Sequence, residues 1–181
     1  MKPSTFSLLS FTFTYLLFLF IFSHGVNGAD ITEPTCNKAA KSSPNIKYHY
    51  CMSSFKSNPE SRNANVQQLG IISTELAKSK ANSISTSIKS LLEKNKNRAD
   101  NKYLQDCLEM YTSAVSDLEK VLEAFIARDY FKANIRMSAA MDASTNCEDG
   151  FKETGLVSPL TKMNDSYFQT TAIALTITNM A

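Results

Sequence analysis

The stretch DNKYLQDCLEMYTSAVSDLEKVLEAF, Asp100 to Phe125, decides the fold. Leu104, Leu108, Tyr111, Val115, Leu118, Leu122 and Phe125 recur in alternating steps of four and three. On an α-helix of about 3.6 residues per turn, such positions line up as one apolar seam, the pattern of a helix inside a bundle. Asp100 stands where an N-cap belongs, because its side chain can accept from the N–H groups that open a helix.

Downstream, Arg128-Asp129 makes a short corner, and a second periodic segment carries Tyr130, Ala133, Met137, Ala140, Met141, Ser144, Cys147 and Phe151 inward. Its SAAMDAS strip (138–144) is rich in small residues, which permits close helix approach. Gly155 fits the C′ position that ends this helix. Ser158-Pro159 then reads as an N-cap followed by Pro at the first helical position. A last helix runs to about Met180, with Leu160, Met163, Tyr167, Thr171, Ala174 and Ile177 inward. Its end, TTAIALTIT, is β-branched, and the bundle context makes it helical. Upstream, NKNRA (95–99) is a polar turn. A long helix from about Asn63 to Lys94 is marked by Val66, Leu69, Ile72, Leu76, Ile84, Ile88 and Leu91. Gly70 and the polar interval Ser79 to Ser83 are its weak points. Before a polar break at Ser57-Asn58-Pro59-Glu60, residues 30–58 hold two short helical segments parted by Ser43-Pro44-Asn45. Tyr48 and Tyr50 are placed to pack them on the body. The expected fold is all-α: an up-down-up-down four-helix bundle with an N-terminal helical hairpin.

The chain has four cysteines, Cys36, Cys51, Cys107 and Cys147, spaced C-x14-C and C-x39-C. An even count behind a leader points to two disulfides in an oxidising compartment. Spacing alone leaves all three connectivities open. Pairing neighbours is simplest, because each bridge then joins two adjacent helical segments. With a corner near Arg128, Cys107 and Cys147 also fall at one level of two antiparallel helices rising about 1.5 Å per residue.

The leader itself has Lys2 followed by a mostly apolar run from Leu8 to Phe22. Val26 and Gly28 fit the −3 and −1 positions of a signal peptidase site, so residues 1–28 read as a signal peptide and 29–181 as one secreted domain. The run is too short for a comfortable membrane span. Removing Lys2 leaves 18 Lys and Arg against 17 Asp and Glu, a net charge of +1. So balanced a chain argues against a nucleic-acid binder, which needs a basic excess to capture phosphates.

Catalytic constellations are nearly absent. His49 is the only histidine after the leader, and with the cysteines oxidised no His/Cys metal cluster can form. The carboxylates Glu119, Glu123, Glu148 and Asp149 read as solvated helix faces rather than an acid–base pair. No Gly-rich phosphate loop occurs, and no cofactor is expected. Asn164-Asp165-Ser166 is an N-glycosylation sequon, making Asn164 a candidate acceptor.

Several segments together carry a family resemblance: Cys36; Tyr48-His49-Tyr50-Cys51; Tyr103-Leu104-Gln105-Asp106-Cys107 with Tyr111 and Leu118; Met137 to Met141; Thr145-Asn146-Cys147-Glu148-Asp149-Gly150-Phe151; and Ser158-Pro159-Leu160-Thr161. Over its whole mature length the chain resembles the plant invertase and pectin methylesterase inhibitor domain. ANVQQLGIIS (64–73) and IRMSAAMDAS (135–144) are similar to the plane-tree pollen allergen branch, whose members carry invertase-inhibitor names. The resemblance implies Cys36–Cys51 and Cys107–Cys147 pairing. It also implies a non-enzyme that binds a secreted pectin methylesterase or acid invertase and blocks its substrate cleft. The mature chain is expected in the apoplast, as a monomer. Invertase inhibitors of this family share a Pro-Lys-Phe motif at the corner between the second and third bundle helices. Here the corner reads Tyr130-Phe131-Lys132: the proline is missing and the order differs. Phe131 and Lys132 would supply an apolar and a cationic contact. The competing expectation is a non-inhibitory bundle that binds a small apolar ligand or wall component, with a void beside the SAAMDAS strip.

Overall fold

The computed structural model of the protein describes residues 30–94 and 100–181. The leader, its cleavage point and the NKNRA turn lie outside them. The described residues form six α-helices and no strand: α1 (Thr32–Ser42), α2 (Tyr48–Lys56), α3 (Val66–Lys94), α4 (Asn101–Ile126), α5 (Tyr130–Lys152) and α6 (Thr161–Thr178), with a 3₁₀ turn at Pro59–Asn63 between α2 and α3. Helices α3 to α6 are the four corners of a bundle in which each helix packs beside its neighbours in sequence and α6 closes the ring on α3. The α1–α2 hairpin lies on α6. Disulfides join Cys36 to Cys51 and Cys107 to Cys147, all four cysteines being buried.

The seam on α4 is shifted from the simple expectation. Leu104, Tyr111, Leu118 and Phe125 are fully buried, but Leu108, Val115 and Leu122 are only half-buried. Cys107, Ala114 and Val121, one residue earlier, take the deeper places. A bundle corner faces two neighbours, so its buried sector is wider than the narrow seam of a two-stranded coil.

Gly70 is no weak point of α3. A Cβ there would lie 2.2 Å from Cε1 of Phe125, so the glycine is what lets α3 and α4 approach. Ala77 and Ala81 carry the core across the polar interval. Helix α3 starts at Val66 rather than Asn63 because Asn65 and Gln68 cap it reciprocally: Asn65 Oδ1 accepts from Gln68 N and Gln68 Oε1 accepts from Asn65 N, both at 2.9 Å. Helix α5 ends as expected at Gly155, φ +70°. Leu156 N donates to Phe151 O and Gly155 N to Lys152 O, the paired bonds of a Schellman motif. Helix α6 begins at Thr161, not Pro159, because the Ser158 hydroxyl accepts from Leu160 N and holds a turn ahead of the helix.

Tyr167 stands in the interior beside the SAAMDAS strip. Tyr167 packs edge-to-face on Tyr111 with centroids 5.1 Å apart, and its hydroxyl donates to Ala140 O at 2.9 Å. Burial pushes both phenols well above the ordinary tyrosine range, with Tyr167 and Glu148 as lesser causes at Tyr111 and Asp117 as the lesser cause at Tyr167. Helix α6 is buried almost all round, Gln169, Thr170, Thr171 and Thr176 included, because the hairpin covers its outer side. Lys47 N donates to Gln169 Oε1, and Tyr50 OH meets Ser166 O at 2.7 Å and Thr170 Oγ1 at 2.6 Å. The threonine hydroxyls at 170, 171 and 176 donate to carbonyls four residues back, so these polar groups are satisfied although buried.

Candidate enzyme-docking surface

The corner between α4 and α5 is fixed by backbone geometry. Arg128 takes the left-handed conformation, φ 58°. Asp129 N donates to Ala124 O at 2.8 Å and Arg128 N to Phe125 O at 3.1 Å, a second Schellman motif. The Asp129 side chain then caps α5 by accepting from Lys132 N at 3.0 Å. Gln67 Nε2 donates to Phe125 O at 2.7 Å and ties the corner to α3. Every residue at this turn is therefore held by a bond to one of the helices it joins.

The three corner residues singled out in the sequence separate here. Tyr130 is half-buried, its ring 6.0 Å from that of Phe125, and serves the packing. Phe131 is 78 % exposed, and Lys132 is exposed beside it. Two further apolar side chains, missed in the sequence reading, face solvent nearby: Ile126 at 69 % and Ile135 at 51 %. Phe131 and Ile135 are four residues apart and so share one helix face. The signal was present, since Ile135 falls off the Ala133-Met137-Ala140 stripe. Isolated exposed apolar residues are ordinary, but three of the four large exposed ones among the described residues fall between positions 126 and 135.

Away from the corner acidic residues gather between the two helices. Asp117 is held by Arg136 at 3.0 Å and Lys120 at 3.7 Å. Further along, the groove between α4 and α5 is lined by Asp106, Glu109 and Asp142 with the small residues Ser113 and Ala139. The outer side of this helical pair is thus apolar with balanced charge at the turn and anionic toward the disulfide. Asp142 lies about 16 Å along α5 from Phe131 at 1.5 Å per residue.

The remaining candidate residues have internal duties. Asn164 is 2 % exposed. Its Oδ1 accepts from Tyr111 OH at 2.6 Å, and its Nδ2 donates to Glu148 Oε1 and lies 3.4 Å from Cys147 Sγ. Glu148 Oε2 accepts in turn from Thr161 Oγ1. The nitrogen that a glycan would use is thus committed to a network joining α4, α5 and α6, and a glycan there would require Asn164 to leave the core. The sequon signal lacks this information, because burial is set by the bundle. His49 is exposed. Among the described residues no group of three His, Cys, Asp or Glu side chains is placed to hold a metal ion. No described helix is long and apolar enough to cross a membrane.

Fold and surface together define a disulfide-stapled helical bundle whose exposed features suit recognition by a protein rather than chemistry on a small substrate. The sequence profile described as "Plant invertase/pectin methylesterase inhibitor" matches residues 30–177, and the chain belongs to that family. It is 44% identical over 177 residues, 97% of each chain, to a Platanus acerifolia protein named "Putative invertase inhibitor". It is 34% identical over 171 residues to "Pectinesterase inhibitor 12" of Arabidopsis thaliana, covering 92% of this chain and 98% of that one. A crystal structure of a mutant form of an Arabidopsis pectin methylesterase inhibitor superposes with a TM-score of 0.72 at 21% identity, over 84% of this chain and 97% of that one. That likeness establishes the shared helical fold. The family and these relatives carry the names of inhibitors, not of enzymes.

Proposed function

We propose that this chain is a secreted inhibitor of a plant cell-wall carbohydrate enzyme, a pectin methylesterase or an acid invertase. It acts by laying a rigid helical surface across the substrate cleft. The observation that carries this reading is the family match along residues 30–177, joined to a corner whose exposed Phe131 and Lys132 stand on a fixed backbone. Residues 1–28 serve as a signal peptide cleaved after Gly28, and the mature chain works in the apoplast as a monomer. Rigidity supports the mechanism, because a preformed surface avoids the ordering cost of binding. Relatives named for each target support both enzymes, so the target is decided by assay.

The test is inhibition of a purified acid invertase and a purified pectin methylesterase, side by side, from acidic to neutral pH. Loss of activity in one assay names the target. Phe131→Ala and Lys132→Ala are then expected to weaken inhibition roughly tenfold or more if the corner is a binding hot spot. Full activity of both enzymes in the presence of folded, oxidised protein would sink the inhibitory reading. The ligand-carrying alternative draws no support from the core, where Tyr167 occupies the space beside Ala140.

A further inference from the structure

The Schellman turn that ends α4 leaves one carbonyl short of a partner. In a continuing helix Phe125 O would accept from the N–H four residues on, at Asp129. Here Asp129 N turns to Ala124 O, and within the corner Phe125 O keeps only the bond from Arg128 N at 3.1 Å. A carbonyl oxygen has two lone pairs. The second is taken by Gln67 Nε2 at 2.7 Å, from α3, 58 residues earlier in the chain. Because Phe125 O can only accept, the atom of the Gln67 amide that faces it is the nitrogen.

Helix α3 also seats the ring of the same residue. Gly70 follows Gln67 by three residues and so shares its helix face. A Cβ at Gly70 would overlap the Phe125 ring, which lies against the bare backbone there. The ring in turn meets Tyr130 edge-on, 6.0 Å away, and Tyr130 immediately precedes the exposed Phe131. The matching turn after α5 is held by local bonds. There Lys152 O accepts from Gly155 N at 3.0 Å, and the neighbouring Thr154 hydroxyl donates to Phe151 O at 2.9 Å. The braced turn is also the one with a non-glycine residue, Arg128, at φ 58°, a conformation that its surroundings must hold.

We infer that Gln67 is a positioning residue for target binding, a role that rests on the corner being the contact surface proposed above. Half-buried on α3, it acts through Phe125. With carbonyl and ring both fixed by α3, the corner carries Phe131 and Lys132 in one orientation before an enzyme arrives. A surface fixed in advance loses less freedom on binding.

The experiment is Gln67→Met in the mature, disulfide-bonded protein, which keeps the length of the side chain and removes its donor. Hydrogen exchange at the Arg128 and Asp129 amides is expected to quicken roughly threefold or more, since one hydrogen bond is lost, while Gly155 and Leu156 stay as they were. Against whichever of acid invertase and pectin methylesterase the unmodified protein inhibits, inhibition is expected to weaken by about threefold or more. In the Phe131→Ala background the same change should add less than about twofold, because a residue that acts by placing Phe131 then has nothing to place. If Gln67→Met disturbs the circular dichroism spectrum, Gln67→Glu, equal in size and unable to donate when ionised, carries the same test. Three results would overturn the assignment: unmoved exchange at the corner, full inhibition by Gln67→Met, or a loss that simply adds to that of Phe131→Ala. If the unmodified protein inhibits neither enzyme, the inhibitory reading falls and the binding role of Gln67 with it. Corner exchange that still quickens in Gln67→Met tells that outcome apart from failure of the brace.

Discussion

Two helical hairpins in this chain are each closed by one disulfide, and they are held in different ways. In the α4–α5 pair, helices of 26 and 23 residues bury Leu104, Tyr111, Leu118 and Phe125 against Ala133, Met137, Ala140 and Phe151. The Cys107–Cys147 bridge clamps a contact that packing already defines. In the α1–α2 pair, helices of 11 and 9 residues bury little beyond Thr35, Cys36, Ala39, Cys51 and Phe55. Helices shorter than about 12–15 residues are marginal alone. The short pair depends on its bridge and on a largely polar seat on α6, where Tyr50 and Lys47 make the bonds. The same covalent link therefore reinforces a core in one place and allows a hairpin to exist in the other.

The largest test of this contrast is Cys107→Ala with Cys147→Ala. The closed loop spans 40 residues, and its loss should cost roughly 4 kcal/mol on the loop-entropy estimate. Because the pair sits in the bundle, the whole urea transition should move to lower denaturant. An unchanged midpoint would show that the bridge adds nothing to packing. Cys36→Ala with Cys51→Ala removes a 15-residue closure, worth about 3 kcal/mol on the same estimate, but its effect should be local. Hydrogen exchange should lose protection in residues 32–56 while the amides of α4 and α5 keep theirs. Equal loss in both regions would mean that the hairpin is part of one cooperative unit.

Next in size is Asn164→Ala, which strips the Tyr111 hydroxyl and Glu148 of their shared partner. A buried group left unpaired costs about 1–3 kcal/mol, read as a lower thermal midpoint. The same residue gives a second readout. Protein secreted from a glycosylating host should have the mass of the bare polypeptide, and a glycan at Asn164 would contradict its place in the core.

Legibility in the sequence followed the same contrast. The α4 and α5 helices were readable because their apolar residues repeat with the helical period and the corner between them is marked by Arg128-Asp129. The Cys107–Cys147 level match follows from that geometry alone. Helix α6 was readable as a helix but not as a buried one, since Gln169 and Thr170 are covered by Tyr50 and Lys47 from more than a hundred residues earlier. Gly70 looked like a defect because its reason, the Phe125 ring, lies on another helix. Of the corner, Phe131 and Lys132 were legible as surface features. Tyr130 fits both the buried face and a target contact in the sequence, and its half-buried place against the Phe125 ring comes from the fold.

The smallest expected effect has the opposite sign and tests the corner directly. Arg128 is a non-glycine residue at φ 58° in the C′ position of a Schellman motif, while the matching position after α5 is Gly155 at φ +70°. For an L-residue the left-handed region costs about 1–2 kcal/mol, a penalty glycine does not carry. Glycine also gives the unfolded chain more freedom, which offsets part of the gain. Arg128→Gly should therefore stabilise the protein by up to about 1 kcal/mol, measured as a higher urea midpoint with an unchanged slope. If stability falls instead, the Arg128 side chain contributes more than its backbone strain removes. The inhibition assay on the same variant then separates the two roles. Unchanged inhibition means that the corner needs only its shape, whereas weaker inhibition by a more stable protein would place the Arg128 guanidinium in the interface.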